Sequence, residues 1–163
     1  MENFLSIYLN DQLALGVGWR ELAKRSRAAN RETALGEALG TVSTGIAEDV
    51  ATFEHLMRRL GIRRNLVKTS LAFAAERLGR VKPNGRLVRY SPLSRFEELE
   101  FLVMGIESKK QLWATLRDLA GLARRLPDVD FDALIDRAGH QIAAIEPFRE
   151  RAGREAFGGP NAA

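Results

Sequence analysis

Residues 61–92, GIRRNLVKTSLAFAAERLGRVKPNGRLVRYSP, decide how this chain is to be folded. They are too long for a turn between neighbouring helices and too broken for a single helix. Gly61 opens the stretch, Gly79 and the Pro83-Asn84-Gly85 triplet interrupt it, and Ser91-Pro92 closes it as a helix start. Between the first breaks, Leu66 to Leu78 has the apolar spacing of a short amphipathic helix, with Asn65 placed to cap its N-terminus.

Outward from this connection the pattern is helical on both sides. A first helix runs from about Leu5 to Ala29, with Leu9, Gly16, Trp19, Leu22 and Ala23 on one face, and Asn30 suited to a left-handed C-cap. A second runs from about Thr33 to Leu60, aligning Leu35, Leu39, Val42, Ile46, Phe53 and Met57, and Gly61 ends it. Beyond the connection, a helix starts at Ser91-Pro92 or at the capping box Ser94-Arg95-Phe96-Glu97, and continues to Leu126, where Pro127 stops it. Asp128 or Asp130 caps the last helix, which carries Phe131, Leu134, Ala138, Ile142 and Ile145. Pro147 should kink it, because it has no N–H for the carbonyl of Ala143. Two tightly joined helix pairs linked by one long crossover make the ferritin-like arrangement of a four-helix bundle, and an up-down bundle with short loops fits less well. The expectation is therefore an all-α, ferritin-like antiparallel four-helix bundle with a short extra helix in the crossover, forming one domain over residues 1–157 and a frayed tail at 158–163.

Three stretches carry a resemblance: YLNDQLALGVGWRELAKR (8–25), AEDVATFEHLMRRLG (47–61) and SPLSRFEELEFLVMGIESKKQLW (91–113). With them the chain resembles, over nearly its whole length, an uncharacterised bacterial ferritin-like family. That resemblance implies no activity. The broader superfamily implies a carboxylate-bridged di-iron centre, built from a Glu on each of two helices and a Glu-x-x-His on each of the others. The sequence lacks that pattern. Thr52 stands three residues before His55 and Arg137 three before His140, and both histidines fall off the apolar stripes, so no metal or other cofactor is expected.

Polar residues nonetheless fall on or near the core faces. Rotation counting puts Gln12, Asp49 and Gln141 there, and sets Lys110 in line with Leu99, Val103 and Ile106, flanked by Glu100 and Glu107. This cluster reads either as a pocket, in which a buried Lys or Glu would titrate abnormally, or as a structural ion pair such as Asp49–Lys110. A carboxylate-only site for a hard cation would need Asp49, Glu100 and Glu107 to converge, and Lys110 opposes it.

Charge is unevenly placed. From Arg58 to Arg95 eleven Lys/Arg residues face one acid, Glu76, while the other 125 residues hold 14 bases and 20 acids. The candidate anion-binding residues are Arg63, Arg64, Lys68, Arg80, Lys82, Arg86 and Arg89. Nucleic acid, an anionic membrane surface, and the acidic remainder of the same chain or a sister subunit all fit such a field. No nucleic-acid reading module accompanies it. Phe101, Leu112 and Leu119, off the main stripe of their helix, point to a homodimer face or to central burial.

With 45% hydrophobic and 28% charged residues the composition is that of a globular protein, and the absence of Cys excludes thiol catalysis, disulfides and Cys-ligated metal. No signal peptide or transmembrane segment is evident, so a cytoplasmic location is expected. The expected function is a non-enzymatic binding or structural protein that contacts an anionic partner through residues 58–95. The alternative is a degenerate ferritin-like enzyme or ligand binder using the core polar cluster.

Overall fold

The computed structural model describes residues 4–65 and 90–158, and every regular element among them is a helix. They are α1 (Phe4–Ala29), α2 (Ala34–Arg59), α3 (Pro92–Asp118), the single turn α4 (Leu122–Arg125) and α5 (Phe131–Phe157). The short helix expected over 66–78, the 83–85 turn and most of the 158–163 tail lie outside the described residues.

The helix ends follow from local chemistry. Thr33 Oγ1 accepts the Gly36 N–H at 3.1 Å to start α2. At its far end Gly61 adopts φ +69°, letting the Ile62 and Gly61 N–H groups return to the carbonyls of Met57 and Arg58. Between α1 and α2 the left-handed residue is Glu32 (φ 66°) rather than Asn30. Asn30 is buried, because its amide serves the Ser26 carbonyl and the Tyr90 hydroxyl. Helix α3 takes the earlier of its two starts, with Ser91 Oγ accepting from the Ser94 N–H at 3.1 Å and Pro92 in the first turn.

Helix α3 does not reach Leu126 as the periodicity suggests. The N–H groups of Leu119 and Ala120 both turn back to the Thr115 carbonyl, and Gly121 sits at φ +62°. A separate turn, α4, then buries Leu122. It ends before Pro127, whose ring disfavours helical backbone at Leu126. Asp130 caps α5 through the Ala133 N–H at 2.9 Å, and the helix runs on through Pro147.

Helix α1 packs on α2 and α3, and α5 packs on the same two neighbours. The pairings fix the register. Trp19 meets Gly105 and Arg25 meets Glu98 between α1 and α3, so advance along one helix is retreat along the other. Gly45 lies against Gln141 between α2 and α5, and Gly153 against Phe96 between α5 and α3. At Gly105 the approach is close enough that a Cβ would come within 2.5 Å of the Trp19 ring, so only glycine fits there.

The apolar core falls into two clusters. The first, around Leu13, Phe53, Met57, Trp113 and Phe131, is held at one end by edge-on Phe53 and tilted Phe131 rings, 5.7 and 6.5 Å from Trp113. The second gathers Leu22, Leu39, Val42, Leu99, Leu102 and Ile145. Each such side chain taken out of water contributes about 1.5–3 kcal/mol toward folding, before the entropy that opposes it. Leu112, expected on the outer side of its helix, belongs to the first cluster, whereas Phe101 is half-buried against the second. Leu119 lies past the end of α3 and is exposed.

Candidate functional site

Between the two apolar clusters sits a buried ionic centre. Asp49 on α2 is 2% exposed, and both of its carboxylate oxygens are bonded by partners from two other helices. One oxygen accepts from Arg137 Nη2; the other accepts from Lys109 Nζ and, at 3.2 Å, from Gln141 Nε2. Lys109 Nζ also donates to Gln141 Oε1. Arg137 reaches outward as well, to Glu48 at 3.5 Å on the exposed side of α2. Arg137 and Gln141 are four residues apart on α5, which places both over the same turn of α2.

The centre needs close helix approach. Gly45, one turn before Asp49, leaves the space that Gln141 occupies, since a Cβ there would stand 2.5 Å from its amide nitrogen. Moving a carboxylate and an ammonium out of water costs several kcal/mol for each ion, and the pairing regains that only when the remaining lone pairs and protons are bonded. Asp49 comes close to that condition, with three bonds accepted by its two oxygens. For Lys109, burial is the largest influence and pushes its ammonium below the ordinary lysine range. The Asp49 charge pulls it back up, and Arg137 works against it.

The structure brings together part of the cluster expected from sequence. Asp49 and Gln141 meet, and Gln12, half-buried on α1, borders a cavity beside them. Lys110, Glu100 and Glu107 do not join them. Lys110 pairs with Glu107 at 3.8 Å on the surface, with 38% and 47% of their side chains exposed, and Glu100 pairs with Arg149 at 3.7 Å. The core cation is Lys109, one residue earlier: the buried face of α3 keeps Leu99 and Ile106 of the expected stripe but continues through Leu102 and Trp113, the side on which Lys109 lies, rather than through Val103 and Lys110. The Asp49–Lys110 pair and a converging Asp49/Glu100/Glu107 site are both replaced by this arrangement. Arg137 was missed, although an Arg and a Gln at i, i+4 beside the Leu134/Ala138 stripe are a legible signal.

The cavity beside the centre has a volume of about 50 Å³ and is lined by residues of α1, α2 and α3. Most of its wall is apolar; Gln12, Asp49, Ser108 and Lys109 are its polar side chains, and Trp19 and Trp113 also line it. Among the described residues, three or more His, Cys, Asp or Glu side chains nowhere gather as a metal would require, and both histidines are exposed.

Of the candidate anion-binding residues, Lys68, Arg80, Lys82, Arg86 and Arg89 lie outside the described residues. Arg64 is paired with Glu54 at 2.6 Å, and Arg63 is exposed. Elsewhere in the basic segment, Arg59 pairs with Asp128 and Arg95 with Glu155, so part of its charge meets acids of the same chain. The segment rejoins the helices through Tyr90, whose hydroxyl donates to Glu98 at 3.1 Å and accepts from Asn30 at 2.8 Å. Glu98, 6% exposed, is bound in turn by Arg25 at 3.3 Å. Among the described residues no helix is long and apolar enough to cross a membrane.

Comparison with protein-family models, with curated proteins and with solved structures gives no match.

Proposed function

We propose that the protein is a non-enzymatic binding protein on a ferritin-like antiparallel four-helix bundle, and that it contacts an anionic partner through residues 58–95. The observation that carries the first half is the Asp49 centre, where Lys109 and Arg137 neutralise a core carboxylate of the kind that ferritin-like proteins give to metal. A carboxylate held by two cations and an amide is a poor metal ligand and a weak base, because the cations compete for its charge. The packing order of the long helices, with a crossover between α2 and α3, supports the ferritin-like reading.

The contact surface rests on charge. Eleven bases against one acid exceed what the pairs Arg59–Asp128, Arg64–Glu54 and Arg95–Glu155 neutralise. Phosphates are the common anionic partner that such a density attracts without a shaped pocket. The test is binding to a labelled DNA duplex at about 50 and about 200 mM salt. Six or more phosphate contacts predict an affinity loss on the order of a thousandfold across that range, relieved in the Arg86→Ala/Arg89→Ala variant. Absence of binding at the lower salt would overturn the nucleic-acid form of the reading.

A second reading is favoured by one observation. The cavity touching Asp49, Lys109 and Trp113 gives the bundle room for a small molecule in its core. Ligand binding there is compatible with a non-enzymatic role and independent of the basic segment.

A further inference from the structure

The cavity between α1, α2 and α3 is unbalanced in its hydrogen bonding. Trp113 forms part of its wall and is 1% exposed, yet its Nε1–H has no acceptor among the described residues. An ammonium carries three N–H donors. Lys109 commits two of them, to Asp49 and to Gln141, which leaves one uncommitted among the described residues. On the acceptor side, both Asp49 oxygens are already bonded. Donors are therefore in surplus. Arg137, itself one-third exposed, is shared between Asp49 and Glu48, so Lys109 is the buried cation of the centre.

We propose that this cavity is a binding site for a short-chain carboxylate. One carboxylate oxygen takes the Trp113 indole N–H and the other takes the third Lys109 N–H, while the carbon end meets the apolar wall of Leu13, Ile46 and Ile106. A buried indole N–H without a partner costs roughly what a lost hydrogen bond does, so an acceptor delivered there gains in affinity what the free protein forgoes. About 50 Å³ admits a molecule of a few heavy atoms, such as formate or acetate, and no aromatic ring. This inference rests on the core-ligand reading above and not on the basic segment.

The experiment follows the indole N–H signals of the two tryptophans by ¹H–¹⁵N correlation NMR on the full chain, titrated separately with acetate and with neutral acetamide at constant pH and ionic strength. Trp113→Phe assigns the signal and separates it from that of Trp19, which also lines the cavity. The expected result is a saturable downfield shift of the Trp113 N–H with acetate, at an affinity at least about tenfold above that for acetamide. Lys109→Met should remove that preference. Should that variant fail to fold, Gly16→Ala, which adds a methyl at the cavity wall in ordinary contact with Val50, should weaken acetate binding while leaving the ionic centre intact. Equal affinity for acetate and acetamide would overturn the carboxylate assignment and leave the core-ligand reading standing. A Trp113 signal that neither molecule moves would overturn both.

Discussion

Gly105→Ala and Gly139→Ala make the same chemical change inside two helices, and they are expected to shift stability in opposite directions. Alanine is favoured over glycine in a helix interior by about 1 kcal/mol, partly because glycine leaves the unfolded chain more freedom. Around Gly139 a new Cβ meets nothing within 4 Å, so most of that gain, about 0.5–1 kcal/mol, should appear. At Gly105 the new Cβ would lie 2.5, 2.6 and 2.9 Å from Cδ2, Cε2 and Cγ of Trp19. Carbon atoms in contact prefer about 3.5–4.0 Å, so the helices must part by about 1 Å or the ring must turn out of its site. These are the inner atoms of a rigid indole, not the tip of a flexible chain. Overpacking costs about 1–3 kcal/mol, and a clash with three ring atoms falls in the upper part of that range, about 2–3 kcal/mol, which leaves a net loss of about 1–2 kcal/mol. Urea unfolding followed by far-UV circular dichroism reads the difference. With a slope near 2 kcal/mol per M, the two variants should have midpoints separated by about 1 M, on opposite sides of the parent. A Gly105→Ala protein as stable as the parent would refute the close approach of α1 and α3 at Trp19.

Three further outcomes follow from the polar groups. Asp49→Asn removes the charge that compensates both Lys109 and Arg137, and should cost about 3–5 kcal/mol, read as a large fall in the urea midpoint. The same measurement on Arg59→Ala, which releases an exposed pair with Asp128, should show the midpoint unmoved. Tyr90→Phe deletes the hydroxyl between Asn30 and Glu98 and should lose about 1–2 kcal/mol. Burial, joined by the nearby Glu98 charge and opposed by the Asn30 hydrogen bond, raises the Tyr90 phenol above its ordinary range. A folded-state value above the unfolded one means that this contribution is full below about pH 10 and is lost as pH rises through the folded value. Chemical denaturation across that alkaline range should therefore show the parent's advantage over Tyr90→Phe shrinking; a constant gap would count against the coupling.

How much of this was legible in the sequence depended on whether a residue acts locally or through packing. Thr33, Ser91, Asp130 and Gly61 act within one turn of their own position, and pattern alone placed the helix ends near them. The break at Gly121 escaped because Leu116, Leu119, Leu122 and Leu126 keep a helical spacing across it, and a lone glycine does not by itself end a helix. Helix α3 posed the harder problem. With Leu99, Phe101, Leu102, Val103, Met104 and Ile106 it is apolar nearly all round, so its rotation is set by α1 and α5 rather than by its own stripe. That ambiguity moved the core cation from Lys109 to Lys110 and carried Glu100 and Glu107 inward with it. Helices α2 and α5 have sharper faces, and there Asp49 and Gln141 were assigned to their core sides.

The ionic centre also partitions the core. Its layer of Asp49, Lys109 and Gln141 stands between two apolar clusters that share no residue. A substitution at Leu39 or Leu102 is felt by neighbours on one side, and one at Phe53 or Leu116 by neighbours on the other. Communication between the halves runs through helix backbones and the polar layer, and distant sites without shared partners add in their effects. Inherited change on one side of Asp49 is thus largely uncoupled from change on the other, and the two halves are free to diverge at different rates so long as the layer between them keeps its charges.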